Sequence, residues 1–287
     1  MELQQDQILS LLPARPEQSN KGRYGKLLIA AGCRRFRGAA QLCTMGGLRI
    51  GAGIVTLAAI EPVAAAAAAC LPEAVFFPCN ENAQGGISAA EAGSLLQEAA
   101  RSQAVVLGCG MGNTPDTAAL ARAMVQQSTV PLVLDADGLN ALAADFPSGS
   151  DAGLVVTPHP GEMARLTGLT IAGIEADRAH VALRFAREKH CVTVLKGHRT
   201  VIASPDGKIA FNTTGNAGMA RGGSGDLLAG MLGGLLAQGL PPYEAALCAV
   251  WLHGKAGDLC AARQSRQMML PHDMLTDLGA FLSENGF

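Results

Sequence analysis

Short runs of aliphatic and β-branched residues recur along the first two thirds of the chain, and turn residues follow each run. The runs cover residues 26–32, 53–59, 104–110, 131–137, 153–159 and 191–197. Segments with helical character lie between them, at 38–50, 88–101, 114–127, 138–144, 161–167 and 176–190. Runs that are apolar throughout and alternate with helices are typical of strands buried on both faces. The pattern therefore predicts an α/β fold with a mainly parallel central sheet between layers of helices.

The pattern changes after the last of these runs. The segment HRTVIASPDGKIAFNTT predicts a hairpin whose turn is Pro205-Asp206-Gly207. Beyond the hairpin, apolar periodicity and proline starts predict helices over 225–238, 243–262 and 273–284. No linker rich in serine, proline or charge interrupts the chain, so we expect residues 1–287 to form one domain.

Composition and charge narrow the class of protein. The 287 residues are 49% hydrophobic but only 4% aromatic, and the formal net charge is −2. That charge offers no basic field for nucleic acid, and no apolar stretch approaches the ~20 residues that cross a bilayer. Arg34, Arg35 and Arg37 are interpreted as a solvated loop in preference to a phosphate site. The chain starts without the apolar core of a secretory signal, so we expect a cytoplasmic protein.

The eight cysteines are scattered, without a C-x-x-C pair. In a chain of this length without a signal sequence, buried reduced thiols are favoured over disulfides or a zinc site.

Candidate chemistry lies in the loops after the strands, because ligands of open parallel sheets bind beyond the carboxyl ends of the strands. Gly108, Gly110 and Gly112 would let the backbone approach a ligand closely, although a tight turn explains them equally well. Asp135 and Asp137 end the next run, and Asn140 lies one helical turn further. Helix capping and a role in a site are equal alternatives for Asp137.

The loop TPHPGEMARL follows the next strand and carries His159 and Glu162. Pro160 and Glu162 can start a helix through a fixed φ and a favourable dipole interaction, and this structural interpretation is favoured for Glu162. His159 lies between two prolines at a strand end, where packing gives little reason for an imidazole. We therefore favour a ligand contact for His159.

The segment GGSGD, at 222–226, stands directly before an apolar helix. Its glycines would leave N–H groups open at the helix N-terminus, which carries roughly half a positive charge, so they form an anion hole suited to phosphate. The helix dipole alone also favours Asp226, but a cap needs only one small or polar residue, and the run of glycines points to function. A carboxylate there can take a proton from a hydroxyl that attacks a phosphoryl group. No G-x-x-x-x-G-K-[ST] occurs, so the predicted site is not a P-loop.

Further along the same helix, Gly230, Gly233 and Gly234 have no chemical role that the pattern supports. Glycine is unfavourable inside a helix by about 1 kcal/mol relative to alanine, so we expect these positions to allow close helix packing.

Six segments stand in an order that is typical of a known family: KGRYG, GAGIVTLA, LDADGLNAL, TPHPGEMARL, LKGHRT and NTTGNAGMARGGSGDLLAGMLGGLLAQG. Together they resemble the ADP-dependent NAD(P)H-hydrate dehydratases of the ribokinase-like superfamily. The resemblance extends from about Lys21 to Ala262. It implies a ribokinase-like three-layer α/β/α fold and repair of the S epimer of hydrated NADH or NADPH. In this chemistry ADP, or ATP in eukaryotic relatives, phosphorylates the C6 hydroxyl, and phosphate then leaves.

The resemblance also implies roles for individual residues. Asp226 corresponds to the catalytic base, and the anion hole corresponds to Gly222, Gly223, Ser224 and Gly225. Nucleotide contacts correspond to Lys196, Gly197, His198, Arg199, Thr200 and Gly225. Contacts with the hydrated dinucleotide correspond to Ala39, Gly110, His159 and Asp226. Motif positions with less defined roles are Asn216, Asp137, Asn140 and Glu162.

Two loops depart from the family pattern. The first usually reads G-S-x-x-Y-x-G-A and here reads GCRRFRGA, with Cys33 and Phe36 in the Ser and Tyr places. The usual G-P-G is here Gly108-Cys109-Gly110. Both changes lie on the substrate side, so they affect substrate contacts more than the phosphoryl chemistry.

Cofactor and partners follow from the same considerations. No Asp, Glu or His cluster has the spacing of an all-protein metal cage, so we expect Mg²⁺ to be held mainly by phosphates, with ADP as co-substrate. The resemblance implies a homo-oligomer, for which we expect a tetramer. About 20 residues precede KGRYG, too few for the epimerase domain of bifunctional relatives, so an NAD(P)HX epimerase is expected on a separate chain. Neither nucleic acid nor a membrane is an expected partner.

Two alternative functions remain. A ribokinase-like kinase of a vitamin precursor, such as hydroxymethylpyrimidine, hydroxyethylthiazole or pyridoxal, would use GGSGD equally well. The combination of TPHPGEMARL, LKGHRT and NTTGNAGMA disfavours it. A non-catalytic nucleotide-binding protein is disfavoured because it has no need for Asp226.

Overall fold

A nine-stranded sheet forms the centre of the structure, a computed structural model that describes residues Met1–Phe287. The strand order is β3-β2-β1-β4-β5-β6-β7-β8-β9. The strands are β1 Lys26–Ala30, β2 Ile54–Ile60, β3 Val75–Cys79, β4 Ala104–Leu107, β5 Leu132–Leu134, β6 Leu154–Val156, β7 Val192–Leu195, β8 Val201–Ala203 and β9 Ile209–Phe211. Neighbours from β3 to β7 pair in parallel, and β7, β8 and β9 pair antiparallel.

Helices cover the sheet in two groups. The helices are α1 Gln5–Leu11, α2 Arg37–Arg49, α3 Glu61–Ala68, α4 Ala92–Ala99, α5 Pro115–Gln127, α6 Ala136–Leu142, α7 Pro160–Thr167, α8 Ile171–Ala176, α9 Arg178–Lys189, α10 Ser224–Ala237, α11 Pro242–Gln264 and α12 Met274–Glu284. Short 3₁₀ helices lie at Lys21–Tyr24, Ala89–Glu91 and Ala217–Met219. Helices α4 to α9 contact one another in chain order, whereas α10 packs on α2 and α11. The predicted three-layer α/β/α arrangement is confirmed.

All six predicted parallel strands are present, as are the hairpin β8–β9 and the three predicted C-terminal helices. The strand β3 was not predicted, because its sequence VFFPC contains Pro78, which usually argues against a strand. Proline is compatible with β3 since this strand lies at one edge of the sheet. Helices α1, α3 and α8 were also not predicted. They are short, and a segment of six to eight residues carries little periodic signal.

The topology places a crevice beside β1. The chain leaves β1 toward β2 and later returns to β4 on the other side of β1, so loops after β1 and β4 diverge. In doubly wound sheets such a switch point is where ligands bind. The loop after β1 carries the arginines near Phe36, and the loop after β4 carries Cys109.

Seven of the eight cysteines are buried and all are free, as expected for reduced thiols. The expectation of burial is wrong for Cys70, which is exposed in the turn after α3. None of the helices combines the length and the apolar character that a membrane crossing needs.

Candidate active site

Two cavities lie beyond the carboxyl ends of the strands, and Asp226 lines both. The larger cavity has a volume of about 860 Å³. It opens between α7, the β7–β8 turn, the segment before α10, and α11. The smaller cavity, of about 490 Å³, lies between the N-terminus of α2 and the loop after β4. Asp226 therefore stands at the boundary between two ligand-sized spaces.

The structure groups most of the predicted site residues as the sequence implied. The predicted nucleotide residues that line the larger cavity are Lys196, Gly197, His198, Arg199, Thr200 and Gly225. The predicted dinucleotide residues that line the smaller cavity are Ala39 and Gly110. His159 differs, because it lines the larger cavity together with the predicted nucleotide residues.

The predicted anion hole is divided between the two cavities. Gly222 and Gly223 line the smaller one, and Ser224 and Gly225 line the larger one. Helix α10 begins at Ser224, one residue earlier than predicted, after Gly223 with φ 94°. The N–H groups of Gly225 and Asp226 have no partner outside the helix, and first-turn N–H groups have none inside it. The hydroxyl of Ser224 is buried without a hydrogen-bond partner.

An ion pair at the strand ends faces this helix terminus. The ammonium of Lys196, after β7, is 2.7 Å from Oδ1 of Asp135, after β5, and 4.0 Å from Oε2 of Glu162. Thr157 donates its hydroxyl proton to the same Oδ1 of Asp135 at 2.6 Å. Burial opposes the charge on Lys196, but the carboxylates of Asp135 and Glu162 outweigh it, and the pKa of Lys196 is raised. Lys196 thus stays a cation in the larger cavity.

Asp226 has no such cation as a direct partner. Burial raises the pKa of Asp226 to about 6, and the charge of Asp135 adds to the effect. A general base works best when its pKa lies near the working pH. The environment of Asp226 therefore suits proton transfer better than that of an ordinary exposed aspartate.

His159 and Glu162 start helix α7 together. Nδ1 of His159 accepts hydrogen bonds from the N–H groups of Gly161 and Glu162, and Glu162 accepts one from His159 N at 2.8 Å. This capping box confirms the helix-start interpretation of Glu162. It also corrects the argument about His159, because helix capping gives the imidazole a structural purpose. The side chain is nevertheless 51% exposed, so a ligand contact stays a prediction.

The remaining motif residues are mostly tied into the scaffold. Asp137 does not cap α6, because the N-cap residue of that helix is Asp135. Oδ2 of Asp137 instead accepts a hydrogen bond from Gly112 N at 2.8 Å. Asp137 also lines the smaller cavity. Asn140 lines neither cavity, and its Oδ1 accepts from Arg165 Nε at 2.8 Å. Asn216 lines the larger cavity, but its amide donates to Asp258 and Gly257.

Three residues of the site had no predicted role. Asp135 was noted at a strand end, but its pairing with Lys196, which lies 61 residues away in sequence, was not predicted because no local pattern indicates such a pair. The imidazole of His253, on α11, lines the larger cavity with Nε2 buried and unpartnered. Cys109 was noted only as a departure from the family pattern. The position of Asp135 at a strand end was the one available signal.

Cys109, Asp135 and Asp226 have potential ligand atoms within 4.8 Å of one another, so the sequence missed one cluster with metal-binding spacing. The donor set does not suit Mg²⁺, which prefers oxygen ligands in octahedral geometry, because one donor is a thiol. The ammonium of Lys196 also occupies one oxygen of Asp135. These side chains do not form a magnesium cage.

The structure has a mainly parallel sheet between two helical layers, and a phosphate-suited helix terminus and a carboxylate lie beyond the strand ends. These features define the ribokinase-like class. A family model narrows this class. The model for NAD(P)H-hydrate dehydratase matches residues 27–279, and the chain belongs to that family.

Individual relatives agree with the family model. The ADP-dependent (S)-NAD(P)H-hydrate dehydratase of Bacillus subtilis is 36% identical over 94% of this chain and 93% of its own length. A crystal structure of the ADP/ATP-dependent NAD(P)H-hydrate dehydratase of Bacillus subtilis, co-crystallised with ATP and Mg²⁺, has a TM-score of 0.84. It is 31% identical, and the match covers 97% of this chain and 96% of that one.

Some relatives are considerably longer. The bifunctional NAD(P)H-hydrate repair enzyme Nnr of Moorella thermoacetica is 42% identical over 93% of this chain. The chain spans about half the length of that relative, with 51% covered.

Proposed function

We propose that this protein repairs nicotinamide cofactors by converting the S epimer of hydrated NADH or NADPH to NADH or NADPH at the expense of ADP. The observation that carries the proposal is the position of Asp226 between two cavities, beside the open N–H groups of α10. The larger cavity suits the nucleotide, and the smaller cavity suits the hydrated ring. Membership of the family supports this division.

The geometry supports a phosphoryl-transfer step first. The carboxylate of Asp226 takes the proton of the C6 hydroxyl, and the hydroxyl oxygen attacks the β-phosphorus of ADP. The bond between that phosphorus and its bridging oxygen breaks, so AMP leaves. Lys196 and the N–H groups of Gly225 and Asp226 stabilise the negative charge on the transferring group.

Elimination follows without a further nucleotide. Hydroxide is a poor leaving group, whereas phosphate leaves with the electrons of the C6–O bond. The lone pair of the ring nitrogen assists its departure, and loss of a proton from C5 completes the double bond. The products are NADH or NADPH, AMP and inorganic phosphate, so atoms and charge balance.

A direct assay tests this function. Purified protein is mixed with hydrated NADH and ADP, and the near-ultraviolet absorbance of the dihydronicotinamide is followed. Recovery of NADH together with one AMP and one phosphate per turnover is the expected result. A ribokinase-like vitamin kinase would leave the absorbance flat and would phosphorylate a pyrimidine, thiazole or pyridoxal alcohol instead.

The same assay tests the role proposed for magnesium. Phosphoryl transfer normally uses Mg²⁺ bound to the phosphates of the nucleotide, and the side chains described above provide no cage for it. We expect EDTA to inhibit turnover and added Mg²⁺ to restore it. Full activity in EDTA would contradict this part of the proposal.

The proposal extends to the setting of the enzyme. We infer one domain over residues 1–287, a cytoplasmic location and a homotetramer, with an NAD(P)HX epimerase as the functional partner. The resemblance to the family is the basis for the tetramer, which light scattering tests. In a mixture of both epimers, the protein alone should consume only the S share. Added epimerase should bring recovery close to completion.

A further inference from the structure

Arg178 binds the main chain at the end of β7, where the predicted nucleotide contacts begin. It is the first residue of α9, and its Nη2 donates hydrogen bonds to the carbonyls of Leu195 at 2.8 Å and Lys196 at 3.1 Å. The carbonyl of Lys196 accepts from no backbone N–H, so Arg178 is the donor that satisfies it. Nη1 donates to Oε1 of Glu175, on α8, at 2.8 Å. The guanidinium therefore ties α8 and α9 to the main chain of the site.

Gly197, the next residue of the turn, permits this close approach. A Cβ added to Gly197 would lie 2.9 Å from both terminal nitrogens of Arg178, and the φ of Gly197 is 148°, which side chains rarely allow. Thr200 closes the turn, because its Oγ1 accepts from Gly197 N at 3.3 Å and donates to Gly197 O at 3.0 Å. The turn is thus held by Arg178 from outside and by Thr200 from within.

Arg178 itself does not face a ligand. Its side chain is 13% exposed, and it lines neither cavity. Lys196 does line the larger cavity, and its ammonium is 2.7 Å from Oδ1 of Asp135. That ammonium lies beside the N-terminus of α10, since a Cβ added to Gly225 would come 3.3 Å from it. Arg178 therefore fixes the main chain of a residue whose charged end faces the predicted phosphate position.

We propose that Arg178 is a positioning residue for the nucleotide, which fixes the main chain of Lys196 and Gly197 so that the ammonium of Lys196 meets the terminal phosphate of ADP. The inference rests on the proposed function, in which ADP occupies the larger cavity. Hydrogen bonds from a charged donor are about twice as strong as neutral ones, and a planar guanidinium holds its donors in a fixed arrangement. A misplacement of about 1 Å at such a site is costly, so the turn needs this support.

The test compares Arg178→Met with a matched control, Arg184→Met. Arg184 lies on the same helix, but it pairs with Glu188 at 3.7 Å on the exposed face and lines neither cavity. Calorimetry measures the binding of ADP and of AMP, which lacks the β-phosphate. Arg178→Met should weaken ADP binding about 10-fold, the effect of losing one hydrogen bond to a charged group. AMP binding should change less than about twofold, and Arg184→Met should change neither.

The comparison of the two nucleotides separates positioning from a general loss of structure. A looser cavity would weaken ADP and AMP alike, because the two share everything except the β-phosphate. An equal loss for both, or unchanged ADP binding, would overturn the inference. If Arg178→Met does not fold, Arg178→Lys keeps the charge without the planar fork and should still lower the preference for ADP over AMP. An unchanged preference in that variant would also overturn the inference.

Nucleotide binding is measured without hydrated NADH, so this inference and the proposed function fail separately. If the protein binds ADP but restores no NADH, the proposed function is wrong, and a lost preference for ADP in Arg178→Met still supports the role of Arg178. In the repair assay, Arg178→Met should raise KM for ADP and leave KM for hydrated NADH near the wild-type value. A rise in KM for hydrated NADH alone would contradict the role of Arg178 even if the wild type repairs NADH.

Discussion

Helix α10 uses glycine in two different ways along its length. At its N-terminus, a Cβ added to Gly222 would meet no atom within 4 Å, and one added to Gly225 would come 3.3 Å from the ammonium of Lys196. In its middle, a Cβ on Gly230 would lie 1.9 Å from the carbonyl oxygen of Cys43, and one on Gly234 would lie 2.3 Å from Ile50. The first group lines the two cavities, and the second group faces the packed surface of α2.

This contrast shows that glycine serves ligand binding at one end of the helix and close helix packing further along it. The absence of a side chain leaves backbone N–H groups accessible at the N-terminus. The same absence lets α2 and α10 approach closely further along. Mutation of the first group should therefore mainly change activity, whereas mutation of the second group should mainly change folding stability.

Asp226→Asn should give the largest effect and should leave the packed part of the helix unaffected. The amide keeps the shape of the side chain but cannot accept the hydroxyl proton, so kcat should fall about 10²–10⁴-fold. ADP affinity, measured by calorimetry, should remain close to that of the wild type. Unchanged turnover would contradict the assignment of the base.

The sequence alone predicted the start of α10 to within one residue and placed Asp226 in its first turn, because a glycine run before an apolar helix is a local signal. It also predicted the six parallel strands from their continuous apolar runs. It could not show that Asp135 pairs with Lys196, since β5 and β7 are brought together only by the sheet. The capping bond of His159 and the thiol of Cys109 beside the carboxylates also depend on tertiary contacts.

Gly230→Ala should have the next largest effect, and this effect should be on folding. Alanine gains about 1 kcal/mol over glycine in a helix interior, but the new Cβ would collide with the backbone of α2. Overpacking of this kind typically destabilises by about 1–3 kcal/mol, so we expect a net loss of unfolding free energy in urea. Activity per folded molecule should be nearly unchanged. A stable variant that has lost activity would break the proposed division of the helix.

The pH dependence of kcat/KM should follow the ionisation of Asp226. Because burial, and then Asp135, raise its pKa to about 6, activity should be present above that pH. Activity should fall about tenfold per pH unit below pH 6, since only the ionised carboxylate accepts a proton.

The raised pKa of Asp226 also affects folding stability. Asp226 contributes stability below its unfolded-state pKa, and this contribution is lost as the pH rises through about 6. Asp226→Asn should accordingly be more stable than wild type at neutral pH, and equal stability there would contradict the raised pKa.

Gly222→Ala should have the smallest effect and provides the matched counterpart of Gly230→Ala. Its φ is not positive and its Cβ meets nothing, so the unfolding free energy should change by less than about 0.5 kcal/mol. The new methyl group would, however, stand in the smaller cavity beside Asp226. We expect KM for hydrated NADH to rise about 10-fold, the low end of the effect of one methylene group in a ligand pocket, with KM for ADP unchanged. If KM for ADP rises instead, the N-terminus of α10 serves the nucleotide on both sides, and the assignment of the smaller cavity to the dinucleotide is wrong.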